Sequence, residues 1–364
     1  MPLLKAREGE NDGGYAVEDY LDVSSELGTI DDLELVLEQF RHANIDVCID
    51  YVVNHTADTH EWAKKALQGD PFYQDMYLMY DDRTMPDLFD QHVPEVLPDR
   101  FPGNFTYKKE IKKFVFTSFS DFQWDLNFKN PYVFEQMIST MLKLANKGIN
   151  IIRLDAIPFM WKEVGTSCRN LDEIHDLLYM FQLVKDIVCP SLALLGEAIV
   201  EPHEIFKYFG TEKKKECGLL YNANFMVNIW NAFATRDVRL LNVDNARFTP
   251  NSKSCWMNYI RCHDDIGWGF NEDAIRLFGM DPFYHKQFLI DYYNGTFYGS
   301  FSRGENYQYN ALSKDARTNG TSASLLGLEK AIEERFEYEK ELSVKRILLA
   351  HSMTFSHRGI PLIY

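Results

Sequence analysis

Gly-Ile-Asn-Ile-Ile-Arg-Leu-Asp-Ala, residues 148–156, joins the end of a predicted helix to a short apolar strand that finishes on two opposite charges. Side chains alternate between faces along a strand, so Arg153 and Asp155 point the same way at its end. A guanidinium beside a carboxylate favours the ionised form of that carboxylate, which a carboxylate nucleophile requires. The stretch therefore predicts a strand that presents a reactive acid.

Two further acids follow apolar segments in the same manner. Glu197 comes after residues 193–196, and Asp264 comes after residues 256–263. A pair of carboxyl groups, one of them the nucleophile and the other the acid and base, is the equipment for reaction at the anomeric carbon of a sugar. Three acids at three strand ends therefore indicate chemistry on a glycosidic bond.

The composition is that of a globular protein with an acidic balance. The chain has 364 residues, 54 acidic against 38 basic side chains and a formal net charge of −16, so it lacks the basic footprint of a nucleic-acid-binding protein. Aromatic residues make up 14%, which suits both a large core and surfaces that stack on sugars. We find no apolar run long enough to span a membrane and no secretory signal, and we expect a cytoplasmic protein.

Six cysteines are scattered without a CxxC pair, so neither a zinc site nor a disulfide framework is expected. Cys48 and Cys262 fall in predicted strands, where we expect them to be small buried apolar groups. The nucleophile and the acid are both side chains, and no acid-rich loop has the ligand spacing of a calcium site. We therefore predict no cofactor and no metal.

Strand-like and helix-like segments alternate along the chain. Helices are predicted at about 31–42, from the N-cap Asn130 to Gly148, from the N-cap Asn170 to about Val188, before the strand near 256, and at about 328–355. Strands are predicted at 45–53, 149–154, 192–195, 217–221 and 256–261. Such repeats indicate a parallel sheet with helical crossovers. Residues 56–113 and 266–328 have no clear period and are interpreted as functional insertions.

Each motif has an ordinary structural interpretation when it is taken alone: a buried ion pair, a helix cap, or a polar turn. Their order and spacing favour another interpretation. The segments DYVVNH (50–55), GINIIRLDA (148–156), GEAI (196–199) and RCHDD (261–265) resemble the four ordered signatures of the α-amylase family of glycoside-acting enzymes. QWDLN (123–127) resembles the auxiliary motif of that family.

A narrower resemblance, to the amylosucrase subfamily, rests on segments outside those signatures. These are residues 11–17, 161–162 with 165–168, 263–268, 299–304 and 308–310, and related sucrose hydrolases share most of them. The resemblance implies an α/β fold, a (β/α)8 TIM barrel whose signatures fall at the ends of strands three, four, five and seven. It also implies two insertions, one after strand three and one after strand seven.

Laid on that barrel, the chain is expected to be incomplete. Strand one, most of strand two and the region after strand eight have no counterpart, so we expect an N- and C-terminally truncated fragment that is poorly stable or inactive alone. The expected divisions are a partial barrel (1–55), an inserted domain B (56–115), barrel strands four to seven (116–265), a second insertion (266–328), and helix seven with the start of strand eight (329–364).

The resemblance also implies roles for individual residues. Asp155 would be the nucleophile that forms a covalent glucosyl intermediate, oriented by Arg153. Glu197 would protonate the leaving oxygen and then deprotonate the acceptor, which requires the two carboxyl groups to be roughly 5 Å apart. Asp264 would stabilise the transition state. The other residues expected to bind substrate are Asp12, Tyr15, His55, His263, Asp265 and Arg303. Tyr15 as an ordinary core tyrosine and Arg303 as a solvated loop arginine stay open as alternatives.

Three functions fit these residues. The first is a glucosyltransferase that cleaves sucrose and passes glucose to an α-1,4-glucan. The second is a sucrose or α-glucan hydrolase on the same scaffold, and the third is a sugar-binding barrel without catalytic activity. Sucrose and α-glucan are the expected partners, with neither nucleic acid nor membrane, and the oligomeric state is left open. Calcium is conceivable only by analogy with the family.

Overall fold

The computed structural model describes residues 2–198, 200, 202–250 and 253–364. Met1 and Ile199, which belong to segments discussed above, lie outside the described residues. The described chain divides into two compact units. Unit one comprises the residues up to Ala198 together with Gly210–Gly218, and unit two comprises the residues from 200 to Phe209 together with Leu219–Tyr364.

Unit one is built on short strands with helices between them. Its strands are β1 (Leu4–Ala6), β2 (Val17–Val23), β3 (Cys48–Val52), β4 (His55–Ala57), β5 (Met79–Tyr80), β6 (Phe105–Lys108), β7 (Lys113–Phe116), β8 (Gln123–Asp125), β9 (Ile151–Asp155) and β10 (Ala193–Gly196). Its helices are α1 (Ile30–His42), α2 (Glu61–Leu67), α3 (Pro71–Gln74), α4 (Thr84–Asp90), α5 (Pro131–Asn146) and α6 (Asp172–Val188).

The parallel strands β3, β9 and β10 carry the site in unit one. β9 pairs in parallel with β3 on one side and with β10 on the other. Arg153 lies opposite Asp50 in β3 and opposite Leu195 in β10. Because the carboxyl ends of parallel strands meet at one edge, the residues that follow these strands are gathered together.

The ends and the buried face of helix α5 follow from its sequence. Asn130 accepts a hydrogen bond from the Tyr132 N–H and Pro131 begins the helix, as predicted. The buried stripe consists of Val133, Met137, Ile138, Met141 and Leu144. Gly148 then turns the chain with φ +110°, a left-handed conformation that suits glycine. Strand β9 begins at Ile151, so four residues (147–150) connect the helix to the strand.

Antiparallel pairs complete unit one. β1 pairs with β2, β4 pairs with β8, and β7 lies between β5 and β6. Strands β5, β6 and β7 and helix α4 enclose a small apolar core. It consists of Leu78, Phe89, Val93, Phe116 and Cys168. The region interpreted as irregular from its sequence therefore contains helices and a sheet, because a short strand or a one-turn helix carries too few residues to show a period.

Unit two has its own parallel strands, β11 (Leu219–Tyr221), β12 (Cys255–Asn258) and β15 (Ile360–Pro361), with β12 in the middle. β13 (Glu305–Asn310) and β14 (Asp315–Asn319) form a hairpin. The helices are α7 (Pro202–Ile205), α8 (Ala223–Thr235), α9 (Arg239–Arg247), α10 (Glu272–Leu277), α11 (Pro282–Tyr293), α12 (Ser322–Leu325), α13 (Leu328–Glu333) and α14 (Glu337–Ser356). Trp230 and Tyr293 are buried at the centre of the core of this unit.

Three local predictions are wrong. Asn170 is not the N-cap of α6: it adopts a left-handed φ of 56°, and Leu171 takes the cap position without a side-chain hydrogen bond. The helix predicted at 328–355 is two helices, since Arg335 has φ 55° between α13 and α14. Cys48 is exposed rather than buried, because β3 is the last strand on its side of the sheet. Cys262 is partly buried.

We predict that Gly148→Ala lowers the free energy of unfolding by roughly 1–2 kcal/mol, because an alanine at φ +110° is strained. The new methyl would also approach Arg41 Nη2 at 2.8 Å. Gly218→Ala is the matched control, since its added methyl meets nothing within 4 Å and its φ is not left-handed. Chemical denaturation measures both. Equal stability of the two variants would contradict the assignment.

Candidate active site

One buried guanidinium organises the edge where β3, β9 and β10 end. Arg153 is 4% exposed, and its Nη1 donates to Asp155 Oδ1 at 2.9 Å and to Asp50 Oδ1. Its Nη2 lies 2.9 Å from Glu197 Oε1. The two acids that were predicted to act together are therefore held on the two terminal nitrogens of one side chain.

Backbone hydrogen bonds hold Glu197 as well. Its N–H donates to the Leu154 carbonyl at 3.0 Å, which extends the pairing of β10 with β9 by one residue. Its second carboxyl oxygen accepts from the Ala156 N–H at 2.9 Å. Ala156 has φ 53°, and this left-handed conformation turns its N–H toward the acid. Glu197 is thus held at both carboxyl oxygens.

The electrostatics of this group are unbalanced. Three carboxylates, those of Asp50, Asp155 and Glu197, surround the single charge of Arg153. Burial, reinforced by the charge of Glu197, raises the pKa of Asp155 well above its ordinary value, although Arg153 opposes the shift. Two close carboxyl groups of this kind retain one proton between them. The shift favours the protonated form of Asp155, contrary to the expectation that Arg153 would keep it ionised, whereas double displacement needs the proton on the other acid.

Tyr15 and Asp12 approach the same group from the loop before β2. Asp12, Gly13 and Gly14 have φ values of 54°, 66° and 99°, so the loop turns sharply before Tyr15. The Tyr15 ring lies 5.7 Å from the Arg153 guanidinium carbon, and its hydroxyl is 3.5 Å from Asp50 Oδ1. Burial raises the pKa of Tyr15, which keeps the hydroxyl protonated as a donor. Asp12 Oδ2 accepts from Gln123 Nε2 at 3.1 Å.

His55 lies beside Tyr15 and contacts its backbone. It is 2% exposed, and its Nε2 lies 3.2 Å from the Tyr15 carbonyl oxygen and 3.0 Å from Gln123 Nε2. Burial lowers the pKa of His55, so the ring is neutral near pH 7. Phe119 packs on this ring with centroids 5.2 Å apart. Unit one therefore brings together Asp12, Tyr15, His55, Arg153, Asp155 and Glu197.

The remaining predicted site residues lie in unit two. The Asp264 carboxylate is 3.5 Å from His263 Nε2 and accepts from Cys262 Sγ at 3.6 Å. Burial raises the pKa of Asp265, while the charges of Arg317 and Arg261 oppose this. Arg303 forms an exposed ion pair with Glu333, as a solvated arginine would. That Asp264 acts together with Asp155 and Glu197 stays a prediction.

Sequence reasoning assigned no role to four polar residues that the structure places at the site. Asp50 is the third carboxylate on Arg153, Gln123 links Asp12 to His55, and Asn54 and Lys162 lie behind His55. All four fall in quoted motifs, but their roles depend on strand register and on contacts between distant segments. Within the described ranges, no three His, Cys, Asp or Glu side chains gather as metal ligands, and no helix could cross a membrane.

The sequence has relatives among known proteins. Residues 2–272 match the family model described as "Alpha amylase, catalytic domain", and the chain belongs to this family. The chain is 34% identical over 266 residues to a glucosylglycerate phosphorylase of Allomeiothermus silvanus, covering 73% of this chain and 46% of that protein. The glucosylglycerate phosphorylase of Escherichia coli (strain K12) is 30% identical, covering 100% of this chain and 60% of that protein.

A solved structure supports the barrel. Sucrose 6F-phosphate phosphorylase from Thermoanaerobacter thermosaccharolyticum matches 99% of this chain and 68% of its own, with TM-score 0.72 and 20% identity. The α/β class and the TIM-barrel fold are therefore confirmed. The relatives bear out the family of retaining glucosyl-transferring enzymes but not the amylosucrase subfamily in particular. The chain spans about half the length of the curated relatives it matches.

We predict that Asp155→Asn abolishes turnover yet leaves the free energy of unfolding unchanged or raises it by about 1 kcal/mol, since one of three buried negative charges is removed. A raised folded-state pKa gives an acid a stabilising contribution that is full at low pH and is lost as the pH rises. The advantage of the asparagine variant should therefore grow as the pH rises from about 4, the ordinary pKa of an aspartate, through the neutral range.

Thermal denaturation across this pH range measures the effect. Asp121→Asn, at an exposed position in the same unit, is the control and should show no growing advantage. A variant that is less stable than the parent at every pH would show that Asp155 is an ordinary buried ion-pair partner.

Proposed function

We propose that the protein transfers an α-glucosyl group with retention of configuration, by double displacement through Asp155 and Glu197. The attachment of both carboxyl groups to the two terminal nitrogens of Arg153 carries the proposal. Asp155 attacks the anomeric carbon, so an ester bond forms as the glycosidic bond breaks. Glu197 gives its proton to the leaving oxygen.

The second half reverses the proton movement. An acceptor hydroxyl gives its proton to Glu197 and attacks the anomeric carbon, and the ester to Asp155 breaks. Two inversions at one carbon restore the original configuration. We infer that Tyr15, His55 and Asp12 bind the glucosyl unit, and that Asp264, His263, Asp265 and Arg303 complete the recognition of the substrate.

We propose sucrose as donor and an α-1,4-glucan as acceptor. This assignment is supported by the segments that resemble amylosucrase, above all residues 11–17, which form the turn that presents Asp12 and Tyr15. A cytoplasmic location belongs to the same proposal. Hydrolysis differs only in that water replaces the acceptor. A barrel without activity is disfavoured, because a binding protein has no need of two buried carboxyl groups on one cation.

Phosphorolysis is the second candidate. The 30% identity that extends over the whole chain to the Escherichia coli glucosylglycerate phosphorylase favours it. Inorganic phosphate would then take the acceptor position and leave with the glucosyl group as α-glucose 1-phosphate. The first displacement and the roles of Asp155 and Glu197 would be the same.

The acceptor is tested by incubating the full-length protein with sucrose in three mixtures: with glycogen, with inorganic phosphate, and with buffer alone. Transfer to a neutral acceptor predicts that fructose release exceeds glucose release and that the glycogen chains lengthen. Phosphorolysis predicts glucose 1-phosphate that appears only with phosphate. Equal glucose and fructose in every mixture would establish hydrolysis. Asp155→Asn is the control for contaminating activities and should release nothing.

The roles of the two acids are tested by trapping. Glu197→Gln cannot protonate a sugar leaving group, but α-glucosyl fluoride needs little protonation, so a glucosyl ester should accumulate on the peptide that contains Asp155. Mass spectrometry after digestion locates it. Glu163→Gln, at an exposed ion pair with Lys129, should turn over normally without accumulation. An adduct on any other residue would refute the assignment.

A further inference from the structure

A second buried cation lies next to the site in unit one, and the mechanism above makes no use of it. Lys162 is 3% exposed. Its ammonium donates to Asn54 Oδ1 at 2.9 Å and to the Phe159 carbonyl, and it pairs with Asp125 Oδ2 at 2.7 Å. Burying a lysine and an aspartate together is costly and is seldom needed for stability alone. The pair has another role, which is to orient the neighbouring side-chain amide of Asn54.

The side-chain amide of Asn54 is held in one orientation from both ends. An ammonium can only donate hydrogen bonds and an ionised carboxylate can only accept them. The amide oxygen of Asn54 must therefore face Lys162, while its Nδ2 donates to Asp125 Oδ2 at 3.1 Å. Asp125 cannot turn away, because it also accepts from the Ser118 N–H at 2.9 Å and from the Ser118 hydroxyl at 2.6 Å.

This orientation decides which nitrogen of His55 carries the proton. Asn54 Nδ2 lies 3.3 Å from His55 Nδ1, so Nδ1 must accept and the proton must lie on Nε2. The contact on the other side of the ring supports the same tautomer. There Nε2 lies 3.2 Å from the Tyr15 carbonyl oxygen, which can only accept a hydrogen bond. The tautomer is assigned here from the network of donors and acceptors.

One contact of His55 does not fit this tautomer. Gln123 Nε2 is 3.0 Å from His55 Nε2, so an amide N–H faces an imidazole N–H. The oxygen of the same amide is buried without a hydrogen-bond partner. Turning the amide over would bring that oxygen to His55 but would sacrifice the hydrogen bond to Asp12. Gln123 is therefore the adjustable member of the group, whereas Asn54 is the fixed one.

We propose that Lys162 is a positioning residue that fixes His55 as the Nε2–H tautomer through the amide of Asn54, so that the ring N–H lies on the side of Tyr15, where the glucosyl unit is proposed to bind. The part of this proposal that concerns the glucosyl unit rests on the proposed function, whereas the part that concerns the tautomer does not. Without the cation, Asn54 can turn its oxygen toward Nδ1, which draws the proton to that nitrogen. The N–H on the substrate side is then lost, although every atom of His55 remains.

Nitrogen-15 NMR of histidine-labelled protein tests the tautomer directly. The His55 signals are identified by their disappearance in His55→Gln. The parent protein should show one protonated nitrogen, Nε2, and one unprotonated nitrogen, Nδ1. Lys162→Met alone leaves Asp125 buried without its cation and is expected to fold poorly, so the informative variant is Lys162→Met with Asp125→Asn. Here residue 125 can donate or accept, and the two ring nitrogens should show averaged shifts of mixed tautomers.

The matched control is Lys64→Met with Glu18→Gln, which removes an ion pair of 3.8 Å elsewhere in unit one. It should leave the tautomer of His55 and the kcat/KM unchanged. The Lys162/Asp125 variant should lose about tenfold in kcat/KM in the full-length protein while remaining folded, which is the loss expected for one hydrogen bond to substrate. Thermal denaturation confirms the fold in each case.

The outcomes separate the two proposals. A single Nε2–H tautomer that persists in the Lys162/Asp125 variant, or an Nδ1–H tautomer in the parent, would overturn the inference whatever the activity. Mixed tautomers with unchanged kcat/KM would overturn the link to substrate. A parent that has the Nε2–H tautomer but transfers no glucosyl group from any donor would refute the proposed function and leave the tautomer assignment standing.

Discussion

The site in unit one depends on the excess of buried negative charge around Arg153. A guanidinium offers donors in a fixed plane, and here its terminal nitrogens hold three carboxylates that come from three adjacent parallel strands. One cation does not compensate three buried or partly buried anions, which favours the retention of a proton and agrees with the raised pKa of Asp155. The proton that catalysis needs is therefore a consequence of the packing of strands β3, β9 and β10.

The charge of this group stays constant through the proposed reaction. The first displacement requires Asp155 as the anion and the shared proton on Glu197. After it, Asp155 is an uncharged ester and Glu197 is the anion. The pair carries one negative charge in both states, so Arg153 and Asp50 have nothing to rearrange. A site whose charges need no reorganisation during the chemical step stabilises the transition state most effectively.

The sequence was informative where chemistry is local and uninformative where it depends on register. Alternation along β9 was enough to place Arg153 and Asp155 on one face, and Asn130 with Pro131 marked the start of α5 correctly. Asp50 could be assigned only once β3 and β9 were aligned, because a shift of one residue would turn its side chain to the other face. The predictions at Asn170 and Arg335 failed because each residue adopts a left-handed φ, which neither residue type requires.

The same electrostatics bears on the choice of acceptor. The first displacement ends before the acceptor takes part. The resemblance to amylosucrase and the sequence identity to phosphorylases therefore do not conflict, because both concern enzymes that share this first half of the reaction. Phosphate is an anion, and it would approach a pair that already carries a negative charge. Arg153, the buried cation on the pair, and Lys162, which lies behind His55, are both occupied by carboxylates. A neutral hydroxyl meets no such repulsion, so phosphorolysis would require a further cation close to the anomeric carbon, whereas transfer to a sugar requires none.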